Sequence, residues 1–574
     1  MKRLFCSLSA VLGLLMSSFA AQAEVPIPVG AIPQDAAVVI RLADPDASIG
    51  KIQKLVEAID PQYSQNVQAL SFFSGTLLDN PAKAGVKRGT DWWMAGFVRK
   101  HEEPVVLIAV QPTDVAAIKD AVGEDYQYIE HDNWLLYTKD AKLAAAVKAC
   151  VAGTGKNVEN EADKTAQQLI MQSDAAVWIN VAHLAETFAE EIEAGVNEAQ
   201  RALEEAGNSA PAIEGINLNA ALGMYADLFD ALVTGLKDSK SCTVGVTVGA
   251  AGIGIHEYVD LEDDSKTDLA LRKHLPASFE SFAKLPANQL AYLGMHGDMQ
   301  SISEWGINFV MEMFEPTEED AKAMKEALEE TKKLEFGEYV ASFRIGSFDT
   351  GLMNAAVLTQ VKNAASLRGV YEKMFRGMGK LGSSPLLTQT IEFEKEAETI
   401  EGYAVDKMTI VQEFDETLDP TGLQKQMMQI MYGPEGAVTR IAYTDNYIAQ
   451  TSGGGKEQME LLLKGLKTPS SGAAYESSRG QLLPKANILV MFDLAGTVGA
   501  ALQAAIESGK FPIPVTEDQI ESLGLKPSFL GFSVSTGKGS FEAKHFVDAE
   551  QIRGLYQIGV LGFGIYQSLS APEF

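Results

Sequence analysis

Four side chains stand where an apolar, strand-like segment passes directly into a helix-like one. They are Asp44, His183, His296 and Asp493, and each follows a short apolar run such as "VVIRLA" or "ILVMF". Short polar side chains at this position cap the next helix by accepting its first free backbone N–H groups. Strand ends also line clefts, so the same carboxylates and imidazoles could contact a ligand. Capping is the simpler interpretation, and ligand binding is the alternative.

The densest group of carboxylates lies in a predicted loop and could hold a divalent cation. It comprises Asp260, Glu262, Asp264 and Asp268 in the segment "DLEDDSKTD". Calcium favours carboxylate oxygens, but the glycine and the ligand spacing of an EF-hand are missing. No His-Glu-x-x-His or Cys-x-x-Cys pattern indicates zinc. The sequence therefore predicts no cofactor, with a divalent cation such as calcium as the alternative.

Three short motifs resemble parts of enzyme sites but lack the residues that complete them. Asp349-Thr-Gly351 is one copy of the aspartic-protease loop, whereas that chemistry needs two carboxylates. Gly453-Gly-Gly-Lys456 is followed by Glu457 instead of the Ser or Thr of a P-loop. Ser281-x-x-Lys284 has no Lys-Thr-Gly companion. These gaps favour a non-enzymatic protein over an enzyme.

The charge balance of the chain excludes one large class of partner. The chain has 47 Lys and Arg against 77 Asp and Glu, for a net charge of −30. Such a field repels phosphate backbones, so nucleic acid is not expected as a partner.

The N-terminal residues predict export. The segment "MKRLFCSLSAVLGLLMSSFAAQAEVP" has two basic residues, an apolar run and an Ala-x-Ala site, which is typical of a secretory signal peptide spanning residues 1–23. No later stretch is long and apolar enough to span a bilayer. We expect a periplasmic or extracellular protein with no integral membrane span after signal cleavage.

Two cysteines, Cys150 and Cys242, remain after cleavage of the signal. An oxidising compartment permits one disulfide between them. Free cysteines are also common as small core residues, so both interpretations stay open.

The sequence repeats itself, and the repeats define a fold. "HDNWLLYTKD" from His131 matches "TDNYIAQTSG" from Thr444, and "IPQDAAVVIRLAD" from Ile32 matches "LPANQLAYLG" from Leu285. Each unit reads as strand, one or two helices, hairpin and helix. Hairpins imply antiparallel neighbours, so we predict the α+β class, with tandemly duplicated units and largely antiparallel sheets covered by helices on one face.

The repeats also predict domain boundaries. The first half spans 24–275, with units at about 33–152 and 164–275. The second half spans 276–574, with units at about 286–467 and 484–574. The second half gains about 64 residues between matching landmarks, and the segment near 381–433 reads as one extra hairpin-helix.

The unit openings "IPQDAAVVIRLAD" and "LPANQLAYLG" resemble those of an uncharacterised family of exported bacterial proteins. Members of that family begin with a Leu-Pro-Ala-Asp-like turn into an apolar strand and alternate hairpins with helices. The resemblance implies a bacterial exported protein and transfers no catalytic residue.

Together these features predict an exported, non-enzymatic protein that binds a ligand of the envelope or the extracellular space, or that has a structural role in the envelope. The alternative is a secreted hydrolase whose site is assembled from residues far apart in sequence, because such a site leaves no local motif.

Overall fold

The computed structural model describes residues 28–209, 217–314, 317–348, 350–378, 387–414, 421–433, 436–509 and 514–570. The predicted signal peptide lies outside these residues. The described residues form two compact units. The first contains residues 28–196, Leu232–Arg272 and Gly537–Arg553, and the second contains Asn197–Ala231, Lys273–Thr536 and the residues from Gly554 onwards.

The strands of the described residues are, in chain order, β1 Val38–Leu42, β2 Trp92–Phe97, β3 Val105–Val110, β4 Gln127–His131, β5 Trp134–Thr138, β6 Ala175–Asn180, β7 Ser239–Gly249, β8 Gly252–Leu261, β9 Ala291–Met295, β10 Phe336–Ile345, β11 Met353–Val361, β12 Leu387–Ile400, β13 Tyr403–Phe414, β14 Ala437–Tyr443, β15 Tyr447–Ser452, β16 Ile488–Phe492, β17 Leu530–Gly537 and β18 Ser540–Asp548.

The α-helices of the described residues are α1 Pro45–Ile59, α2 Ala69–Thr76, α3 Val115–Val122, α4 Ala141–Val151, α5 Lys164–Gln172, α6 Val181–Thr187, α7 Ala189–Ser209, α8 Leu218–Lys237, α9 Lys266–Leu271, α10 Met299–Phe314, α11 Glu318–Thr331, α12 Arg368–Met378, α13 Leu423–Tyr432, α14 Gly455–Lys467, α15 Ala473–Arg479, α16 Leu494–Ser508, α17 Glu517–Ser522 and α18 Ala549–Ser570. None of these helices combines the length and the apolar character that a membrane span requires.

The mixed α+β class is confirmed, and every recorded strand pair is antiparallel. In the first unit the strands pair in the order β4-β5-β3-β2-β1-β6-β7-β8-β18. In the second unit the order is β12-β13-β14-β15-β11-β10-β9-β16-β17. From β4 to β7 and from β14 to β17 the two orders follow one pattern. Strands β12 and β13 extend the second order beyond β14.

Both faces of the sheet of the first unit are buried at strand β2. Trp93 and Phe97 pack with Leu143 and Leu169 of α4 and α5 on one face. Trp92 of the same strand packs on the other face with residues that include Ile118 of α3. Because successive side chains of a strand point to opposite faces, the Trp92-Trp93 pair serves two cores. The expectation of one covered face is therefore wrong here.

A buried arginine ties the centre of this sheet to the end of a helix. Arg41 of β1 pairs through Nη2 with Asp91 at 2.7 Å, and its Nη1 donates to the carbonyl oxygens of Ile170 at 2.9 Å and Ser173 at 2.8 Å. The last carbonyls of a helix have no partner within the helix, so Arg41 satisfies those at the end of α5. The strand and the helix thus share one set of charge-assisted hydrogen bonds.

Asp174 lies next to this arginine, and its carboxyl group is buried where the charged form is disfavoured. Asp174, which precedes β6, is 4% exposed, and its Oδ2 accepts a hydrogen bond from the backbone N–H of Val248 at 3.2 Å. Burial raises the pKa of Asp174 to about 6, against the lowering effects of that hydrogen bond and of Lys51 and Arg41. Removal from water disfavours the charged form more than these partners favour it.

Replacing Asp174 with Asn should stabilise the first unit at neutral pH and change little near pH 4. An unfolded aspartate titrates near pH 3.9, so the folded state holds the proton more tightly between about pH 4 and pH 6, and stability falls as pH rises through that window. The gain from Asn at pH 7 should approach about 2–3 kcal/mol. Denaturant unfolding of the mature chain, followed by tryptophan fluorescence, measures it because four of the five tryptophans lie in the first unit.

Asp132→Asn is the matched control, since it makes the same charge change at an exposed turn between β4 and β5. It should show no pH-dependent gain of this size. A gain for Asp174→Asn that stays constant from pH 4 to pH 7 would contradict the buried-carboxyl interpretation.

Candidate functional site

The junction after β16 is built around one buried carboxylate. Asp493 is 3% exposed, and its Oδ1 accepts a hydrogen bond from the backbone N–H of Gly496 at 2.7 Å, which caps α16. Its own N–H donates to the carbonyl of Leu290 at 2.7 Å, just before β9. The N–H of Ser528, just before β17, lies 3.4 Å from its Oδ2. One side chain and its backbone therefore hold two strands and a helix in position.

A cavity of about 420 Å³ opens beside this carboxylate, and we call it the α16–α17 pocket. One face of α16 forms a wall, because the lining residues Gly496, Gly499, Ala500, Gln503 and Ile506 recur at helical spacing. The volume lies in the range of small-molecule sites, about 300–1,000 Å³. Further apolar surface comes from the side chains of Leu290, Ile520, Leu525 and Pro527.

The rim of the α16–α17 pocket is acidic. Glu507, Glu517 and Glu521 line it and are exposed, and Lys526 is the basic residue among its lining side chains. A capping box fixes the position of α17, since Thr516 accepts from the N–H of Gln519 and the Gln519 side chain accepts from the N–H of Thr516. Apolar walls and a rim with a surplus of two negative charges can bind a small cation that has an apolar body.

The junction after β1 also opens into a cavity, of about 610 Å³, which we call the Asp44 pocket. Asp44 caps α1 by accepting from the N–H of Ala47 at 3.2 Å, with its own backbone in the left-handed region at φ 34°. The lining includes Lys83, Lys87 and Arg88, so this pocket carries basic side chains where the α16–α17 pocket carries acidic ones.

At the two junctions predicted to carry histidines, another side chain accepts from the first turn of the helix, although His296 comes directly after β9. Asn180 caps α6, and His183 lies inside the first turn, where its N–H donates to Asn180 Oδ1 at 3.0 Å. After β9, Asp298 accepts from the N–H of Ser301 at 3.1 Å, whereas His296 Nδ1 lies 2.7 Å from the carbonyl oxygen of Leu275. Asn and Asp accept hydrogen bonds from the first free N–H groups of a helix more readily than His does.

The carboxylates predicted to bind a cation are paired with basic side chains and backbone N–H groups. Asp260 forms an ion pair with Lys240 at 3.0 Å. Asp268 is fully buried, pairs with Arg272 and accepts from the N–H groups of Asp264 at 2.9 Å and Gly539 at 2.8 Å. Arg272 also pairs with Asp264 at 3.0 Å.

The remaining carboxylate of that cluster is separate from these pairs. Glu262 is exposed, and its backbone N–H donates to the carbonyl of Asp238 at 2.7 Å. Among the residues that the structure describes, no three His, Cys, Asp or Glu side chains come together in a way that could hold a metal ion.

Both cysteines are free thiols in the structure. Cys150, on α4, donates from its Sγ to the carbonyl of Lys156 at 3.2 Å, and Cys242 lies on β7. The structure therefore contains no disulfide between Cys150 and Cys242. Burial raises the pKa of Cys150 and raises that of Cys242 to about 11, so neither thiol is a ready nucleophile at neutral pH.

The Ser281-x-x-Lys284 motif lies beside a third polar residue, Tyr447, from the distant strand β15. Lys284 Nζ donates to the hydroxyl of Tyr447 at 2.7 Å, and Ser281 Oγ lies 3.3 Å from the same hydroxyl. Ser281 is only 1% exposed, and its N–H is bound by Glu338 at 2.9 Å. A substrate carbonyl therefore cannot approach its Oγ in this conformation. Asp349 of the protease-like motif lies outside the described residues.

Sequence reasoning missed most of the pocket residues. The three basic residues of the Asp44 pocket, Lys83, Lys87 and Arg88, were recognisable as three cations within the six residues "KAGVKR" of an acidic chain. The pocket face of α16 was visible as small residues at helical spacing, which alone indicates close packing. Nothing in the sequence connects Glu517 and Glu521 with Asp493.

Comparison with known proteins adds little. No family model matches the sequence, and no curated protein matches it. Among solved structures, the chain is similar to one titled "Structure of crystal form III of TP0453", with 8% identity and a TM-score of 0.20, over 43% of this chain and 86% of that one. A likeness at this level carries no argument about function.

Replacing Asp493 with Ala should loosen α16, because the helix loses its cap and the Gly496 N–H loses a buried acceptor. The free energy of local opening should fall by about 1–2 kcal/mol. Hydrogen exchange of the α16 amides in the mature chain, read by mass spectrometry, measures the change. Asp493→Asn keeps an acceptor oxygen and should stay close to the wild type. Equal exchange in all three proteins would show that Asp493 does not hold the junction.

Proposed function

We propose that this protein is an exported, non-enzymatic binding protein whose ligand occupies the α16–α17 pocket. The proposal rests on three features found in one place: an apolar cavity, the buried Asp493 side chain held by the backbone N–H of Gly496, and an acidic rim. Concave apolar sites with a few fixed polar groups are the usual form of small-molecule sites. Export to the periplasm or the extracellular space rests on the predicted signal peptide.

The charges of the pocket select the class of ligand. Glu507, Glu517 and Glu521 against Lys526 attract a cation, and the net charge of −30 raises the local concentration of cations further. Apolar walls are formed by Leu290, Ile506, Ile520 and Leu525. They favour a ligand with an apolar surface, because contact removes both surfaces from water. The ligand that fits both features is a small organic cation with an apolar body, such as an alkyl or aryl amine.

The hydrolase alternative has one observation in its favour, the approach of Ser281, Lys284 and Tyr447. A nucleophile must reach its substrate, and Ser281 is 1% exposed. The α16–α17 pocket is open to solvent and contains none of these three residues. The geometry therefore supports binding better than hydrolysis.

Filling the pocket should weaken binding without unfolding the protein. Ala500 lines the cavity from α16, and Ala500→Leu places a larger apolar side chain in the space while keeping a good helix former. The probes are octylamine, octanol and octanoate, which share one alkyl chain and differ in charge. Isothermal titration calorimetry of the mature protein should rank octylamine first, and Ala500→Leu should weaken its binding at least about tenfold.

Ala501→Leu is the matched control, because Ala501 is the next residue on α16, is exposed and does not line the pocket. It should bind octylamine like the wild type. Two results would contradict the proposal. One is that octanoate binds as tightly as octylamine, and the other is that both leucine variants bind octylamine equally well.

A further inference from the structure

The lining of the Asp44 pocket has three basic residues against two acidic ones, Asp44 and Asp46, whereas acidic residues are in excess in the chain as a whole. Lys83, Lys87 and Arg88 fall within six residues of a chain in which acidic residues outnumber basic ones by 77 to 47. All three line the cavity of about 610 Å³ beside α1. A local reversal of charge inside a cavity concentrates anions there.

The three cations are not equally available. Lys83 Nζ pairs with Asp46 at 2.8 Å and lies 5.3 Å from the ring centre of Trp92, which is buried. Lys83 is therefore already neutralised and held against the wall. Lys87 and Arg88 are exposed, and neither forms an ion pair with any residue in the described part of the chain. Lys87 and Arg88 are thus available to a ligand, and against the one lining carboxylate outside the Lys83 pair, Asp44, they leave a surplus of one positive charge.

The segment that carries these two cations is held in place. The N–H of Lys87 donates to the carbonyl of Gln111 at 2.9 Å, and Thr90 Oγ1 donates to the carbonyl of Lys87 at 2.8 Å. Gly89 has a positive φ of 72°, and a Cβ at that position would lie 3.9 Å from Asp44 Oδ2, so the turn lies beside the cap of α1. A fixed backbone lowers the entropic cost of binding.

We infer that the Asp44 pocket is a second binding site, for a small soluble compound that carries a multivalent oxyanion of the phosphate type. The planar guanidinium of Arg88 can bind two oxygens of one such group, and Lys87 adds a compact positive charge beside it. Ile49 and Val86 supply apolar wall for an organic part of the ligand. This site is independent of the α16–α17 pocket, which has other lining residues and the opposite charge.

The charge of the whole chain favours a soluble anion over an anionic membrane surface. Screening confines the attraction of Lys87 and Arg88 to about 8 Å at physiological ionic strength. A small anion inside the cavity experiences mainly that local field. An extended anionic surface also faces the rest of a protein with a net charge of −30, which repels it.

The test is isothermal titration calorimetry of the mature protein with pyrophosphate and with inorganic phosphate, at low and at physiological salt. Pyrophosphate should bind more tightly than phosphate because it carries more charge. The double variant Lys87→Gln, Arg88→Gln should weaken pyrophosphate binding at least about tenfold, as expected for the loss of charge-assisted contacts. The double variant Lys142→Gln, Lys148→Gln removes two exposed charges from α4 of the same unit and should bind like the wild type.

Co-sedimentation with vesicles that contain phosphatidylglycerol separates the two sources of phosphate. We expect no vesicle binding. Binding to vesicles but not to pyrophosphate would overturn the choice of a soluble ligand. Equal weakening in both double variants would mean a general charge effect and would overturn the site. Absence of any heat with either phosphate compound, with unchanged unfolding of the double variant, would overturn it as well.

Discussion

The constraint on which both pockets depend is the abrupt change from strand to helix after the first strand of a repeat. At such a change the first backbone N–H groups of the helix lack partners, and a short acidic side chain supplies the acceptor. Asp493 does this for α16 and Asp44 does it for α1. Since the cap fixes where the helix begins, it also fixes the space between that helix and the next segment, and this space is the pocket in each unit.

The repeat explains how one architecture can carry two unlike sites. In the matched strand orders β1 corresponds to β9 and β6 to β16, so the two pockets follow neighbouring central strands of the shared order, β1 in the first unit and β16 in the second. The framework is shared, whereas the loops and helices that close the cavities differ. Residues 83–90 bring basic side chains to the Asp44 pocket, and α17 brings carboxylates to the α16–α17 pocket. Variation outside the framework therefore sets the charge of each site.

Much of the fold was predictable from the sequence because hairpins and helices leave periodic patterns. The Asp-Asn turn at Asp132 and the match between Ile32 and Leu285 predicted antiparallel units, and the α+β class is confirmed. The junction residues were predictable in part. At the junction after β6 the cap is Asn180, three residues before His183. The pockets themselves were not predictable, since Glu521 and Asp493 line one cavity only through tertiary packing, which no local pattern records.

The most direct test of the central claim is methyl NMR of the mature chain, labelled at isoleucine, leucine and valine methyl groups and titrated with octylamine. We expect shift changes that are concentrated on Leu290, Ile506, Ile520 and Leu525, which line the α16–α17 pocket. Ile49 and Val86 of the oppositely charged Asp44 pocket should not respond. Shifts spread over the surface, or centred on any other part of the protein, would contradict the assignment of the α16–α17 pocket as the ligand site.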